Sequence, residues 1–147
     1  MQPKFDFIVA SKDWHPENSV HFNKWPVHCV RNTEGAAFHP ELNTENIDKL
    51  VLKGTNDKDD GYSAFEATTD NLVELLRKKD VDKIYIAGLT TDYCVKNTVL
   101  DALKNGFEIY VVEDGISAVD VNPGDGDKAI REMKEQGAHF IQSNEVN

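Results

Sequence analysis

The sequence predicts an α/β protein: a mostly parallel sheet of about five strands with helices on both faces, in three layers. Three observations predict it. Short apolar runs at 5–10, 84–88 and 107–112 alternate with segments of helical periodicity at 69–79, 92–105 and 127–136. The runs are nearly continuous in apolar residues, as strands covered on both faces are. Finally, residues 84–112 read as a complete strand–helix–strand unit, the connection that parallel neighbours require.

The elements follow in order. After a polar lead-in at Met1–Lys4, Phe5–Ala10 is the first strand. It ends directly into Ser11–Pro16, so Asp13 and His15 fall just past its carboxyl end, the edge where open α/β sheets build sites. Residues 16–40 have little periodicity, yet with the adjoining His15 they hold four of the five histidines (15, 21, 28 and 39), and Trp14, Phe22, Trp25 and Phe38 lie in the same region. A loop this long is functional or disordered, and its aromatic content argues for order. Glu45–Lys49 reads as a helical turn, Leu50–Lys53 as a short strand, and Thr55–Gly61 as a polar loop. Thr69 or Asp70 caps a helix through Lys79 whose buried face is Leu72, Val73, Leu75 and Leu76. Strand 84–88 leads through a tight turn into helix 92–105, capped by Thr91 or Asp92. Val95, Thr98, Val99, Ala102 and Leu103 face inward, and Gly106 closes it. Strand 107–112, a loop over 113–126, helix Asp127–Gln136 and a last strand Ala138–Gln142 complete the chain.

At 147 residues the chain is expected to be a single domain over 1–147, large enough for a core. A formal charge of −10 argues against nucleic acid and anionic membrane surfaces as partners. Two cysteines in different surroundings do not make a disulfide framework. No apolar run reaches transmembrane length and no signal-peptide pattern opens the chain, so a cytoplasmic location is expected.

Three features carry chemistry. Cys94 sits at the first turn of a helix after a strand, where backbone N–H groups and the helix dipole favour a thiolate and could receive an oxyanion. The same position also suits a small apolar residue packed beneath a helix, and position alone does not separate the two. The loop with Asp13-x-His15, His21 and His28 offers oxygen and imidazole ligands suited to Zn²⁺, Fe²⁺ or Mn²⁺. Lys53 ends an apolar strand and is followed by glycine, a pattern that most often marks a solvated strand end. A cysteine attacking an amide needs a group to move its proton, and a carboxylate is the natural third member beside a lysine. Cys29 reads as buried filler, His39 as a hydrogen-bonded loop residue, and the acidic run Asp57–Asp60 as a solvated loop.

The motifs ASKDWHPENSVHF (10–22), WPVHCV (25–30), GAAFHPEL (35–42), KGTNDKDDGYSAF (53–65), GLTTDYCVKNTVLDAL (88–103) and VVEDG (111–115) occur in this order. Together they resemble the nicotinamidase/pyrazinamidase branch of the isochorismatase-like cysteine hydrolases over nearly the whole chain. The resemblance implies a nicotinamidase that hydrolyses nicotinamide to nicotinate and ammonia through a cysteine thioester, a step of NAD salvage. It implies Cys94 as nucleophile, Lys53 as triad lysine, and the backbone N–H groups of Thr90 and Cys94 as oxyanion hole. Asp13, His15 and His28 match the metal ligands. His21 stands where only some members have a further histidine ligand. One divalent ion is implied, Zn²⁺ first, with Fe²⁺ and Mn²⁺ as alternatives, orienting the pyridine nitrogen. Trp25 and Tyr62 match residues that wall the substrate ring, and Leu89–Thr90 matches a cis peptide. Thiol, amine and imidazole loop are expected along one carboxyl rim.

The family's triad aspartate comes from a strand that has no counterpart here, since Met1 falls in mid-family sequence. The fold is therefore expected to be N-terminally incomplete and the activity of the isolated chain impaired. Asp6 lies at the wrong end of its strand to replace the missing acid. A homo-oligomer is expected, with another chain able to supply a strand. The alternatives are an inactive metal- or ligand-binding descendant and an amidohydrolase of the same fold acting on another small amide.

Overall fold

The computed structural model describes residues 4–147; most of the lead-in expected at Met1–Lys4 lies outside them. The chain divides into two compact units, Met1–Asn71 and Leu72–Asn147.

The first unit is built on two parallel strands, β1 (Val9–Asp13) and β2 (Lys49–Lys53), paired from Val9 opposite Lys49 to Asp13 opposite Lys53. Between them the chain makes two 3₁₀ turns, Val20–Asn23 and Glu34–Ala36, and a third, Ala64–Glu66, follows β2. An isolated parallel bridge between His15 and Val30 folds the long loop back on the end of β1. β1 starts four residues later than the apolar run suggests. Ladder pairing with β2 sets its limits, and Asp48 fixes its approach by accepting a hydrogen bond from the Ile8 amide at 2.7 Å. Asp13 is consequently the last residue of the strand rather than a residue beyond it.

The second unit opens with α1 (Leu72–Lys78), of which Leu72 and Leu76 are buried and Val73 and Leu75 half-buried. Three parallel strands follow in the order β3 (Lys83–Leu89), β4 (Glu108–Ser117), β5 (His139–Ile141). The crossovers are α2 (Lys96–Lys104) and α3 (Asp125–Glu135). The core of this unit is Val95, Val99, Ala102, Ile109, Val111, Val112, Ala129 and Met133, all with 4% exposure or less. Each fully buried Val, Ile or Met contributes roughly 1.5–3 kcal/mol from removal of apolar surface.

The five expected strands are present and every pairing is parallel, but they form two sheets, one of two strands and one of three, rather than one. β4 also runs on to Ser117, through residues expected as loop. A register shift past Ile86 lets Gly88 pair with Ile116 and Leu89 with Ser117 although the apolar run stops at Val112. Among the described residues no helix is long and apolar enough to cross a membrane.

Candidate metal centre and nucleophile

The β1–β2 ladder ends with Asp13 opposite Lys53, and there the two side chains form an ion pair. Lys53 is 4% exposed, so its ammonium has exchanged water for this carboxylate and for the Gly61 carbonyl at 3.1 Å. Burial alone pushes the Asp13 carboxyl up, but the neighbouring His15 ring and the ammonium of Lys53 outweigh it and hold it at about 2. The expected solvated strand end is thus a buried ammonium paired with a half-buried carboxylate.

Two residues on, His15 is fully buried. The bridge to Val30 is closed by the His15 amide donating to the Cys29 carbonyl (3.0 Å) and the Arg31 amide to the His15 carbonyl (2.8 Å). This pins the WPVHCV segment beside His15 and holds Cys29 at φ 48°. His21 arrives on the 3₁₀ turn at Val20–Asn23, whose start is capped by Ser19 and tied to the 54–61 loop by the Val20 amide donating to Asp57 (2.8 Å). The three imidazoles then lie against one another, with ring centroids 4.4 Å apart for His15–His21, 5.0 Å for His21–His28 and 5.4 Å for His15–His28.

Their proton positions follow from their partners. His15 Nδ1 is 2.9 Å from the Gly54 carbonyl and His28 Nδ1 is 2.6 Å from the Pro26 carbonyl. A carbonyl only accepts, so each Nδ1 is an N–H donor, and it is the neutral ring that leaves a lone pair on Nε2. His21 Nδ1 is 2.7 Å from Oδ1 of Asp60, another acceptor. Burial, reinforced by the adjacent imidazoles, pushes the His21 pKa down against the pull of Asp60, which favours the neutral ring. In the neutral form each ring keeps its lone pair on Nε2, and one ligand nitrogen from each of the three histidines lies within 4.8 Å of the others. His21 Nε2 and His28 Nε2 are 3.4 Å apart, and with both rings neutral neither donates to the other. His15 Nε2 is buried without a hydrogen-bond partner, and Asp13 Oδ2, itself an acceptor, is 3.8 Å away. Acceptors gathered around a buried point are satisfied by a cation. Two nitrogens each about 2.05 Å from a tetrahedral Zn²⁺ would be about 3.3 Å apart, close to the spacing seen here. The residues fit a divalent ion.

Trp25 and Tyr62 are brought together, with indole Nε1 donating to the Tyr62 hydroxyl at 2.9 Å, and both rings border His21. Gly54 and Gly61 allow the loop between them to close. Both are left-handed (φ 62°); a Cβ on Gly54 would meet the His15 ring, with Nδ1 at 2.6 Å, and one on Gly61 would overlap the Gly54 backbone. Two residues near this centre escape the sequence reading. Cys29, expected as filler, offers a sulfur that groups with Asp13 and His28 ligand atoms within 4.8 Å. Asp60 is not merely a solvated acid but the partner of His21 and, at 2.7 Å, of Lys24. His39 is the loop residue expected, its Nδ1 accepting from the Glu41 amide.

In the second unit Cys94 follows β3, as the sequence predicts, and the Leu89–Thr90 peptide is cis. The helix entry differs from expectation. Thr91–Val95 forms a π turn before α2, with the Tyr93 and Val95 amides donating to the Thr90 carbonyl. Neither Thr91 nor Asp92 caps it. Asp92, 5% exposed, instead accepts from the amides of Val119 (3.1 Å) and Asp120 (2.9 Å), holding the chain beyond β4 against the cysteine turn. Cys94 is half-buried and in no disulfide.

Parallel strands, a cluster of imidazole nitrogens beside a carboxylate–ammonium pair, and a cysteine on a strand-to-helix turn define an α/β protein of the hydrolase type. The Isochorismatase domain matches residues 6–145, and the chain belongs to that family. It is 38% identical over 160 residues to a nicotinamidase of Escherichia coli, covering 93% of this chain and 75% of that one. Two solved structures are similar throughout. One is a nicotinamidase/pyrazinamidase of Acinetobacter baumanii (34% identity, TM-score 0.93, 99% of this chain and 82% of that one). The other is the pyrazinamidase of Pyrococcus horikoshii in complex with zinc (40% identity, TM-score 0.81, 92% and 75%).

Proposed function

We infer that this protein is a metal-containing amidohydrolase that converts nicotinamide to nicotinate and ammonia. The observation that carries the reading is the convergence of a ligand nitrogen from each of His15, His21 and His28 within 4.8 Å beside the Asp13–Lys53 pair. The relatives named as nicotinamidases and pyrazinamidases supply the substrate class.

His15, His21, His28 and Asp13 would hold the ion, with Zn²⁺ first among candidates. A divalent ion there supplies a Lewis acid that orients the ring nitrogen of a pyridine carboxamide. Trp25 and Tyr62 wall that ring. Cys94 is the nucleophile: its sulfur bonds to the amide carbon, the C–N bond breaks, and the amine leaves with a proton as ammonia. Water then cleaves the thioester, which returns the thiol and releases the carboxylate. The backbone N–H groups of Thr90 and Cys94 receive the oxyanion, and Lys53 favours the thiolate. In this reading the two units act as one hydrolase domain, in a homo-oligomeric cytoplasmic protein of NAD salvage.

The test is ammonia release from nicotinamide by the purified, zinc-supplemented protein, beside an N-carbamoyl amide as control. Turnover of nicotinamide alone supports the reading. Turnover of the N-carbamoyl compound alone moves the substrate class, and turnover of neither by zinc-loaded protein overturns the amidohydrolase reading in favour of an inactive metal- or ligand-binding descendant.

A further inference from the structure

We propose that Asp60 is a positioning residue of the metal centre: its carboxylate fixes His21 as the Nδ1–H tautomer, so that the Nε2 lone pair faces the ion.

The three imidazoles are oriented by different means. His15 and His28 donate to backbone carbonyls, which are neutral and fixed by the fold. His21 alone donates to a charged group, Oδ1 of Asp60 at 2.7 Å. A carboxylate behind a ligating histidine fixes its tautomer and ring orientation and raises its basicity toward a metal. Oδ2 of the same carboxylate accepts from Lys24 Nζ at 2.7 Å, so both oxygens are held and the group cannot swing away from the ring. The position of Asp60 is built rather than incidental. Gly61, its neighbour, fits against Gly54 only without a side chain, Gly54 fits against the His15 ring in the same way, and the Asp60 carbonyl lies beside Gly54. The loop that carries Asp60 is therefore registered on one ligand, His15, while its side chain orients another, His21. Without Asp60 the His21 ring could take either tautomer, and the Nε2–H form places a proton where the ion belongs.

The proposal rests on the metal reading above, and its test separates the two. Zn²⁺ affinity of the metal-stripped protein is measured by competition with a chromophoric chelator for the wild type, Asp60→Asn, Asp60→Glu and Lys24→Ala. Asp60→Asn is expected to weaken Zn²⁺ by about 10- to 100-fold, the range for loss of such a partner. Asp60→Glu restores part of the loss, and Lys24→Ala, which leaves the His21 contact in place, changes affinity by a smaller factor. Nitrogen-15 shifts of the His21 ring in the wild-type metal-free protein give a readout that survives failure of any variant to fold. Nδ1–H with bare Nε2 is expected, and Nε2–H overturns the proposal. Equal Zn²⁺ affinity of wild type and Asp60→Asn also overturns it. If the wild type itself binds no Zn²⁺, Mn²⁺ or Fe²⁺, the metal reading fails, and the proposal with it.

Discussion

His21 Nε2 and His28 Nε2 are 3.4 Å apart, and each ring donates its Nδ1–H to an oxygen on its far side. Two lone pairs at this distance repel unless a cation lies between them. Metal content is therefore expected to depend on both rings and on His15, whose buried Nε2 has no hydrogen-bond partner among the described residues. His28→Ala should lower bound metal to well under one ion per chain, and His15→Ala/His28→Ala should abolish it, read by elemental analysis after dialysis. Full occupancy in the double variant would show that the ion is held elsewhere.

The Asp13–Lys53 pair should make the metal-stripped protein acid-sensitive. Asp13 is held at about 2, below its ordinary 3.8. The unfolded chain takes up this proton first as pH falls, so stability present above 3.8 drains away as pH drops towards 2. The shift corresponds to about 2 kcal/mol. Asp13→Asn should remove that part of the pH dependence in urea unfolding curves between pH 5 and 2.

Breaking the pair leaves either the buried ammonium of Lys53 or the half-buried carboxylate of Asp13 without its partner. Lys53→Met and Asp13→Asn are each expected to cost about 3–5 kcal/mol, and the double variant distinctly less than their sum. Chemical denaturation at neutral pH reads the coupling. Additive losses would mean that the pair is screened and contributes little.

Cys94→Ala should lower ammonia release from nicotinamide on the order of 10⁴-fold or more, as loss of a covalent nucleophile does. The side chain is half-buried and in no disulfide, so circular dichroism and zinc content should stay at wild-type levels. Activity persisting at a tenth of wild type would exclude the thioester route.

Asp92 lies beside the nucleophile but its oxygens are committed to the amides of Val119 and Asp120. Asp92→Ala removes the shared acceptor of two part-buried hydrogen bonds and is expected to cost about 2 kcal/mol. Purified at a temperature where it remains folded, it should keep most of its activity per folded molecule. A drop of a thousandfold without loss of stability would make it a proton carrier instead.

The parts of this molecule legible in the sequence are those whose local pattern and tertiary role agree. Of the inward positions that spacing alone picks out for α2 and the turn before it, Val95, Val99 and Ala102 are buried and Thr98 and Leu103 half-buried. The loop histidines could be grouped because Asp13 and His15 follow a strand and aromatic residues accompany the rest. What could not be read depends on partners distant in sequence. β4 continues to Ser117 only because β3 shifts register opposite it, which no apolar run records. Asp60 belongs to an acidic run that resembles any solvated loop; its role comes from a ring 39 residues away. Lys53 looks like a strand end because the carboxylate that neutralises it lies 40 residues earlier.

Lys53 and Gly54 are consecutive, yet the first holds the carboxylate of Asp13 and the second, through its carbonyl, orients His15. A residue inserted between them would unhook both at once. Length variation is tolerable only farther out, around the exposed Lys58 and Asp59. That tip is where a reporter peptide could be grafted, or a lineage could lengthen the chain, without disturbing the ligands behind it.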